Sequence, residues 1–172
     1  MHTSSRDLTI RECGATETAA RDALITRAFR DAPHADGTEA AIAAALEARG
    51  KASVSLLALH AGVVVGCVLT SPVTLSDGTP GWHGLGPIAV EPALQQQGIG
   101  IALMEAALAR LRAIGAAGCV LLGDPAYYAR FGFITDPRLQ LPGVPPGYFQ
   151  CLSFGAAIPT AEVRYDAAFD AG

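Results

Sequence analysis

The chain has 172 residues, of which 51% are apolar and 16% charged, with a formal net charge of −4. This composition excludes a disordered protein, and no apolar run reaches the roughly 20 residues of a membrane-spanning helix. Its basic residues, a single lysine (Lys51) among scattered arginines, form no run, so neither nucleic acid nor a membrane is an expected partner.

The N-terminus, Met1-His2-Thr3-Ser4-Ser5-Arg6, lacks the apolar core of a signal peptide, and a cytoplasmic location is expected. Leu8 to Arg11 alternates as a half-buried strand does. A helix then runs from about Thr16–Thr18 to Ala28, with Ala20, Leu24, Ile25 and Ala28 on one face. Residues 31–37 hold Pro33 and Gly37 and read as a loop. Thr38 is placed to cap a second helix, with Glu39 in its first turn and Gly50 past its end.

Ser53–His60 and Val63–Pro72 read as a hairpin joined at Ala61-Gly62, with Val63, Val65, Cys67 and Leu69 on one face. Ser76–Gly81 is turn chemistry. Trp82–Val90 is the next strand, interrupted by Gly86-Pro87, which marks an edge or a bulge. From Ile101 to Ala116 a helix follows, with Ile101, Met104, Leu108 and Leu111 as its core stripe. Gly118–Leu122 is a short strand expected to lie parallel to Trp82–Val90. Asp124-Pro125 opens a brief helix carrying Tyr127 and Tyr128. The remainder is rich in loops, with prolines at 137, 142, 145 and 146 and late strands at Tyr148–Phe154 and Glu162–Tyr165. Cys13, Cys67, Cys119 and Cys151 are far apart, which suggests neither a metal site nor a disulfide framework.

The chain is organised around Gln95-Gln96-Gln97-Gly98-Ile99-Gly100, between a strand and a helix start. Such a turn directs backbone N–H groups of Gln96, Gly98, Gly100 and Ile101 along a helix axis whose end carries partial positive charge, and its glycines let phosphates approach. The same glycines also suit a plain strand-to-helix turn. The dinucleotide fingerprint fails because position 103 is leucine, and no Lys-Ser or Lys-Thr follows a glycine pair as a P-loop requires.

Gln95-x-x-Gly98-x-Gly100, after Ile88-Ala89-Val90-Glu91-Pro92, resembles motif A of the GNAT N-acetyltransferase superfamily. Tyr127-Tyr128-Ala129-Arg130-Phe131-Gly132-Phe133 resembles that family's closing motif, and Leu121–Tyr128 is similar to its YhbS-like branch. The resemblance implies an α/β fold with a mixed, mostly antiparallel sheet and helices on both faces, residues 1–172 forming a single N-acetyltransferase domain. It implies acetyl-CoA as acyl donor, no metal, and direct transfer in a ternary complex to a primary amine of a small molecule or protein. A homodimer is compatible with it.

In the resembled fold the Trp82–Val90 strand parts from its neighbour. Ile88, Ala89 and Val90 would then line the gap that admits the pantetheine arm, with free backbone groups at Ile88 and Val90. The loop Gln95, Gln96, Gln97, Gly98, Ile99, Gly100 and Ile101 would hold the pyrophosphate. Tyr128 matches the family's proton donor to the departing thiolate; the alternative is packing beside Phe131 and Phe133. Acyl transfer also needs a proton acceptor for the amine. Glu91, past the strand, and His83, near its start, are the leading candidates, ahead of Asp77, His60 and a water chain. Arg130 reads as a surface residue. Two rivals remain: a non-catalytic acyl-CoA-binding domain on the same fold, against which Tyr128 argues, and an unrelated phosphate-ligand enzyme, against which the failed fingerprints argue.

Overall fold

The computed structural model describes residues 7–30, 32, 35–145 and 147–170; the N-terminal segment, Pro33 and Pro146 lie outside them. The strands are β1 (Leu8–Glu12), β2 (Val54–His60), β3 (Val63–Pro72), β4 (Thr74–Leu75), β5 (Trp82–Val90), β6 (Gly118–Leu122), β7 (Leu139–Gln140), β8 (Phe149–Ser153) and β9 (Ala161–Arg164). The helices are α1 (Thr18–Phe29), α2 (Glu39–Ala48), α3 (Ile99–Ala113) and α4 (Pro125–Tyr128), with short 3₁₀ turns at Pro92–Leu94, Ala129–Phe131 and Ala167–Asp170. None of the helices is long and apolar enough to cross a membrane among the described residues.

A six-stranded sheet runs in the order β1-β2-β3-β5-β6-β8. Every pairing in it is antiparallel except β5 with β6, the expected mixed sheet. The β2–β3 hairpin turns through Ala61 (φ +49°) and Gly62 (φ +80°), the positive pair that a tight two-residue turn demands. α3 packs Ile99, Leu103, Met104, Ala107, Leu108 and Leu111 on one face of the sheet. On the other face α1 and α2 bury Leu24, Ile25, Ile42 and Leu46. A small sheet, β4-β9-β7, covers Trp82 with Leu139 and Val163; its two-residue strands are too short to carry a periodic signal.

Three expectations are corrected. α3 starts at Ile99, not Ile101, so Ile101 is only half-buried, and Ile99 and Leu103 join the core stripe in its place. Thr38 occupies the N-cap position of α2 without capping it, because its hydroxyl donates to Asp36 Oδ1 at 2.5 Å. In β3 the pairing shifts near Val65. That bulge puts Val65 with the α3-side core, whereas Cys67 and Leu69 face α1 and α2 and Val63 is 64% exposed. Arg21, mid-helix in α1, is fully buried. Its Nη1 donates to Glu47 Oε1 at 2.6 Å, and Ser55 donates to the same oxygen at 2.7 Å, which ties α1, α2 and β2 together.

Candidate active site

β5 and β6 run together only briefly. Their pairs are Trp82 with Gly118, His83 with Cys119 and Gly84 with Val120, and none follows. Beyond Gly84 the strand bulges, since Gly86 and Pro87 oppose the single residue Leu69 between the pairs Thr70–Leu85 and Val68–Ile88. Gly86 holds φ +143° there, a conformation that side-chain-bearing residues avoid. The bulge re-aims the strand and opens a gap on its β6 side.

Alternation then decides which groups face that gap. Glu91 N–H donates to Val65 O at 2.8 Å, so Glu91 and Ala89 turn their backbone groups toward β3, while Ile88 and Val90 turn theirs away from it. Ala89 itself is buried in the core under α1 and α2. The Val90 carbonyl is already engaged, accepting from Gln95 Nε2 at 3.2 Å; Gln95 therefore ties the loop to the strand and does not cap the helix.

The loop ends on the N-terminus of α3. Gln96 (φ +65°) and Gly98 (φ +88°) are both left-handed, and α3 begins with no side-chain cap. Left-handed residues beside right-handed ones curl successive N–H groups into a concave nest for an anion, and an uncapped first turn adds its unpaired donors. A cavity of about 420 Å³ opens over these groups, lined by Val90, Gln95, Gln96, Gly98, Gly100 and Ile101 on one side and by Tyr127 and Arg130 on the other. A Cβ built on Gly98 meets nothing within 4 Å, and one on Gly100 comes 3.6 Å from Tyr127 Oη. An anion as long as a pyrophosphate fits this cradle, in which backbone donors meet a guanidinium. Gln97 is exposed and does not line the cavity.

Arg130 was expected at the surface. It is exposed, yet it belongs to the cavity wall, with its guanidinium carbon 4.5 Å from the Tyr127 ring centroid and Nε donating to Tyr127 O at 3.0 Å. The spacing of three residues between an aromatic and an arginine at a helix end carries that signal.

The segment presenting both tyrosines is set locally. Asp124 Oδ1 accepts from Ala126 N–H at 2.9 Å, and Pro125 occupies the first helical position. Tyr127 turns its hydroxyl toward Gly100, whereas Tyr128 sets a ring edge on Gly123, just past the end of β6, and meets Phe133 edge-on at an interplanar angle of 73°. Burial, reinforced by Tyr127, pushes the Tyr128 phenol pKa up, so at neutral pH the hydroxyl keeps its proton.

The two candidate bases lie apart from each other. Both oxygens of Glu91 meet Arg27 of α1, Oε2 at 2.8 Å and Oε1 at 3.3 Å, at the end of β5 where the loop cavity lies. His83 Nδ1 is 2.8 Å from Ser53 Oγ, which in turn is 2.8 Å from Thr70 Oγ1. Burial pulls the His83 pKa down. Five residues of strand, about 16 Å, separate it from Ile88. Cys67 and Cys119 are fully buried, and burial raises both thiols, Cys67 to about 12; neither is a nucleophile at neutral pH.

A second cavity, of about 840 Å³, lies at the bulge end of β5. Leu85, Gly86, Pro87 and Leu122 form its floor, Phe29 and Ile42 of α1 and α2 one wall, and Tyr165, Phe169 and Asp170 another. Its position faces the far end of the β5–β6 gap from the phosphate cradle. Of its charged groups, Glu39, Arg164 and Asp170, the sequence pointed to Glu39 only as a first-turn helix residue and to none as part of a site.

Comparison with known proteins agrees with this geometry. Residues 20–133 match the Acetyltransferase (GNAT) family. The uncharacterised N-acetyltransferase YhbS of Escherichia coli K12 is 35% identical over 127 residues, which is 71% of this chain and 73% of YhbS. A GNAT family acetyltransferase from Brucella melitensis, solved in complex with acetyl-CoA, superposes with a TM-score of 0.85 at 41% identity, over 95% of this chain and 98% of that one. E. coli YhbS, solved in complex with CoA, superposes with a TM-score of 0.84 at 30% identity, over 95% of this chain and 92% of that one. The expected fold and the resemblance read from the two motifs are borne out, and the chain belongs to the GNAT acetyltransferase family.

Proposed function

We propose that this protein transfers an acetyl group from acetyl-CoA directly to a primary amine. The observation that carries the reading is the parting of β5 from β6 after Gly84, which leaves the backbone at Ile88 and Val90 facing a gap that ends on the uncapped α3 N-terminus. An extended arm bearing amides binds such an edge as an added strand would. Gly98, Gly100 and Ile101 receive the pyrophosphate through their N–H groups, with Arg130 beside it.

Bound there, acetyl-CoA supplies an activated thioester carbonyl. As the amine nitrogen forms the new C–N bond, the C–S bond breaks. The sulfur takes the proton of the Tyr128 hydroxyl, which burial keeps protonated, and the amine gives up a proton of its own. Glu91 lies at the pyrophosphate end of β5 and is occupied by Arg27. His83 faces Ser53 and Thr70. We assign both to holding the fold and the amine proton to groups or water in the larger cavity.

Thermal melting tests the donor without knowing the acceptor. A ligand at a hundredfold excess over its Kd stabilises the folded state by about 2.7 kcal/mol. At roughly 2–4 °C per kcal/mol for a domain of this size, saturating acetyl-CoA raises Tm by about 5–10 °C, and CoA does nearly as well. NAD and ATP, which lack a pantetheine arm, do clearly less. An equal shift with NAD or ATP overturns the reading in favour of a generic phosphate cradle.

A further inference from the structure

The larger cavity has a chemistry of its own. Its walls are apolar over most of their extent, with Phe29, Ile42, Leu85, Leu122, Leu141 and Phe169 all facing it. Leu122 is 47% exposed, an unusual state for a leucine at the end of a central strand, and its open side is this cavity. The charged groups come from two places that the fold brings together: Glu39 in the first turn of α2, and Arg164 with Asp170 near the end of the chain. The last 3₁₀ turn is docked on α2 through Arg49 Nε and Asp166 Oδ1 at 2.9 Å and through buried Ala168. Among the described residues no cation pairs with Glu39 or Asp170, and no carboxylate pairs with Arg164.

We propose that the acceptor bound here is a primary ammonium carried on an apolar body, aromatic or branched aliphatic. The inference rests on the acetyltransferase reading above. A volume of about 840 Å³ suits a small molecule. An apolar wall rewards an apolar body and penalises any hydroxyl or second ammonium that it strips of water without a partner. An aminosugar or a polyamine would place such groups against leucine and phenylalanine. The carboxylates of Glu39 and Asp170 meet the ammonium by charge-assisted hydrogen bonds. Should the acceptor also carry a carboxylate, Arg164 is the group to meet it.

The test is a panel of acceptors assayed by release of the CoA thiol: phenethylamine, isoamylamine, phenylalanine, spermidine, glucosamine and a peptide with a free N-terminus. The apolar amines are expected to exceed spermidine, glucosamine and the peptide in kcat/KM by about tenfold or more, a difference of one well-made polar contact. Phenylalanine on a par with phenethylamine supports the same site, and Arg164→Ala then raises the KM for phenylalanine alone. The double variant Glu39→Gln, Asp170→Asn is expected to raise the amine KM by about 10–100-fold while the CoA-induced Tm shift stays as it was. Spermidine, glucosamine or the peptide as best acceptor overturns the inference, as does an unchanged amine KM in the double variant. The CoA shift separates the two readings. Its absence sinks the acetyltransferase reading itself, whereas its presence with apolar amines disfavoured sinks only this one.

Discussion

Gly123→Ala is the change that best separates a chemical role for Tyr128 from a packing role. Gly123 follows the last residue of β6 and has an ordinary negative-φ-compatible backbone, since it is absent from the left-handed glycines. A methyl group there is refused by space alone. The new Cβ would overlap Cε2 of the Tyr128 ring and lie 2.9 Å from Cδ2, so the ring must retreat by about 1 Å to regain van der Waals separation. A displacement of that size at a reacting group costs on the order of 10²-fold in rate. Tyr128→Phe removes the hydroxyl while keeping the ring on Gly123 and Phe133, and the loss of a positioned acid is worth about 10²–10⁴-fold in kcat. Both variants are assayed by thiol release with the best amine of the panel, under conditions where chemistry limits turnover. Both are expected to keep the CoA-induced Tm shift, because neither touches the cradle at α3. Near-wild-type kcat in Tyr128→Phe refutes the acid role. Normal kcat in Gly123→Ala alone refutes the claim that the ring is fixed by its seat on Gly123.

Three further outcomes follow from other parts of the molecule. In Gly100→Val the Cβ has room, 3.6 Å from Tyr127 Oη and 3.8 Å from Val90 Cγ2, but the branched methyls enter the cradle, so titration calorimetry should show acetyl-CoA binding lost while the melt of the free protein is kept. Glu47→Ala removes the short ion pair of the buried Arg21 guanidinium and leaves it Asp22, to whose Oδ1 Arg21 Nε donates at 3.0 Å while Nη2 lies 3.0 Å from the same oxygen without the alignment of a hydrogen bond. Breaking a buried pair costs about 3–5 kcal/mol; with Asp22 still near and Glu47 partly exposed, about 2–3 kcal/mol is expected, a fall in Tm of roughly 4–12 °C by calorimetry. His83, its pKa lowered by burial from the ordinary 6.5, binds its proton less readily folded than unfolded. Stability is therefore full above pH 6.5 and declines as pH falls through that value toward the folded pKa; in His83→Gln, denaturation midpoints should lose this part of the decline while kcat at neutral pH stays within a few-fold of wild type.

How much of this was legible beforehand divides along sequence distance. The phosphate cradle is local. Gln95 to Ile101 is one strand-to-helix turn, and the left-handed residues and the uncapped helix that make it work lie within seven positions. A pattern of glycines and a helix start is enough to see it. The bulge at Gly86-Pro87 is local too, and it places the gap along Ile88 and Val90. The errors appear where one particular partner, near or far along the chain, decides. Thr38 fails as a cap because Asp36 takes its hydroxyl. Ile101 leaves the core stripe because the cradle claims the first turn of α3, moving the start of the helix back to Ile99. Val65 changes face through a bulge that only the β2 register reveals. Arg21 looks like a solvated helix residue until Glu47 and Ser55 arrive from α2 and β2.

The charged groups of the larger cavity are non-local throughout, whereas both candidate bases were sought along the cofactor strand. Glu91 and His83 are close to the cofactor strand in sequence, and proximity in sequence was the only guide to proximity in space. The strand spreads its residues by about 3.3 Å each and alternates their faces. Glu91 therefore ends at Arg27 beyond the cradle, and His83 turns to Ser53 at the other end. The groups that do share the larger cavity with Leu85–Pro87 are Glu39, from an early helix, and Arg164 and Asp170, from the last strand and turn. No periodicity or motif links them; the docking of the final turn on α2 through Arg49 and Asp166 does. The proposed donor site is built from backbone with a strand-to-helix signature, and the proposed acceptor site, at the other end of the gap, takes its charged side chains from α2 and from the last strand and turn. Substitutions that alter amine preference should therefore fall at residues such as Glu39, Leu122 and Asp170, and leave the glycines of the cradle untouched.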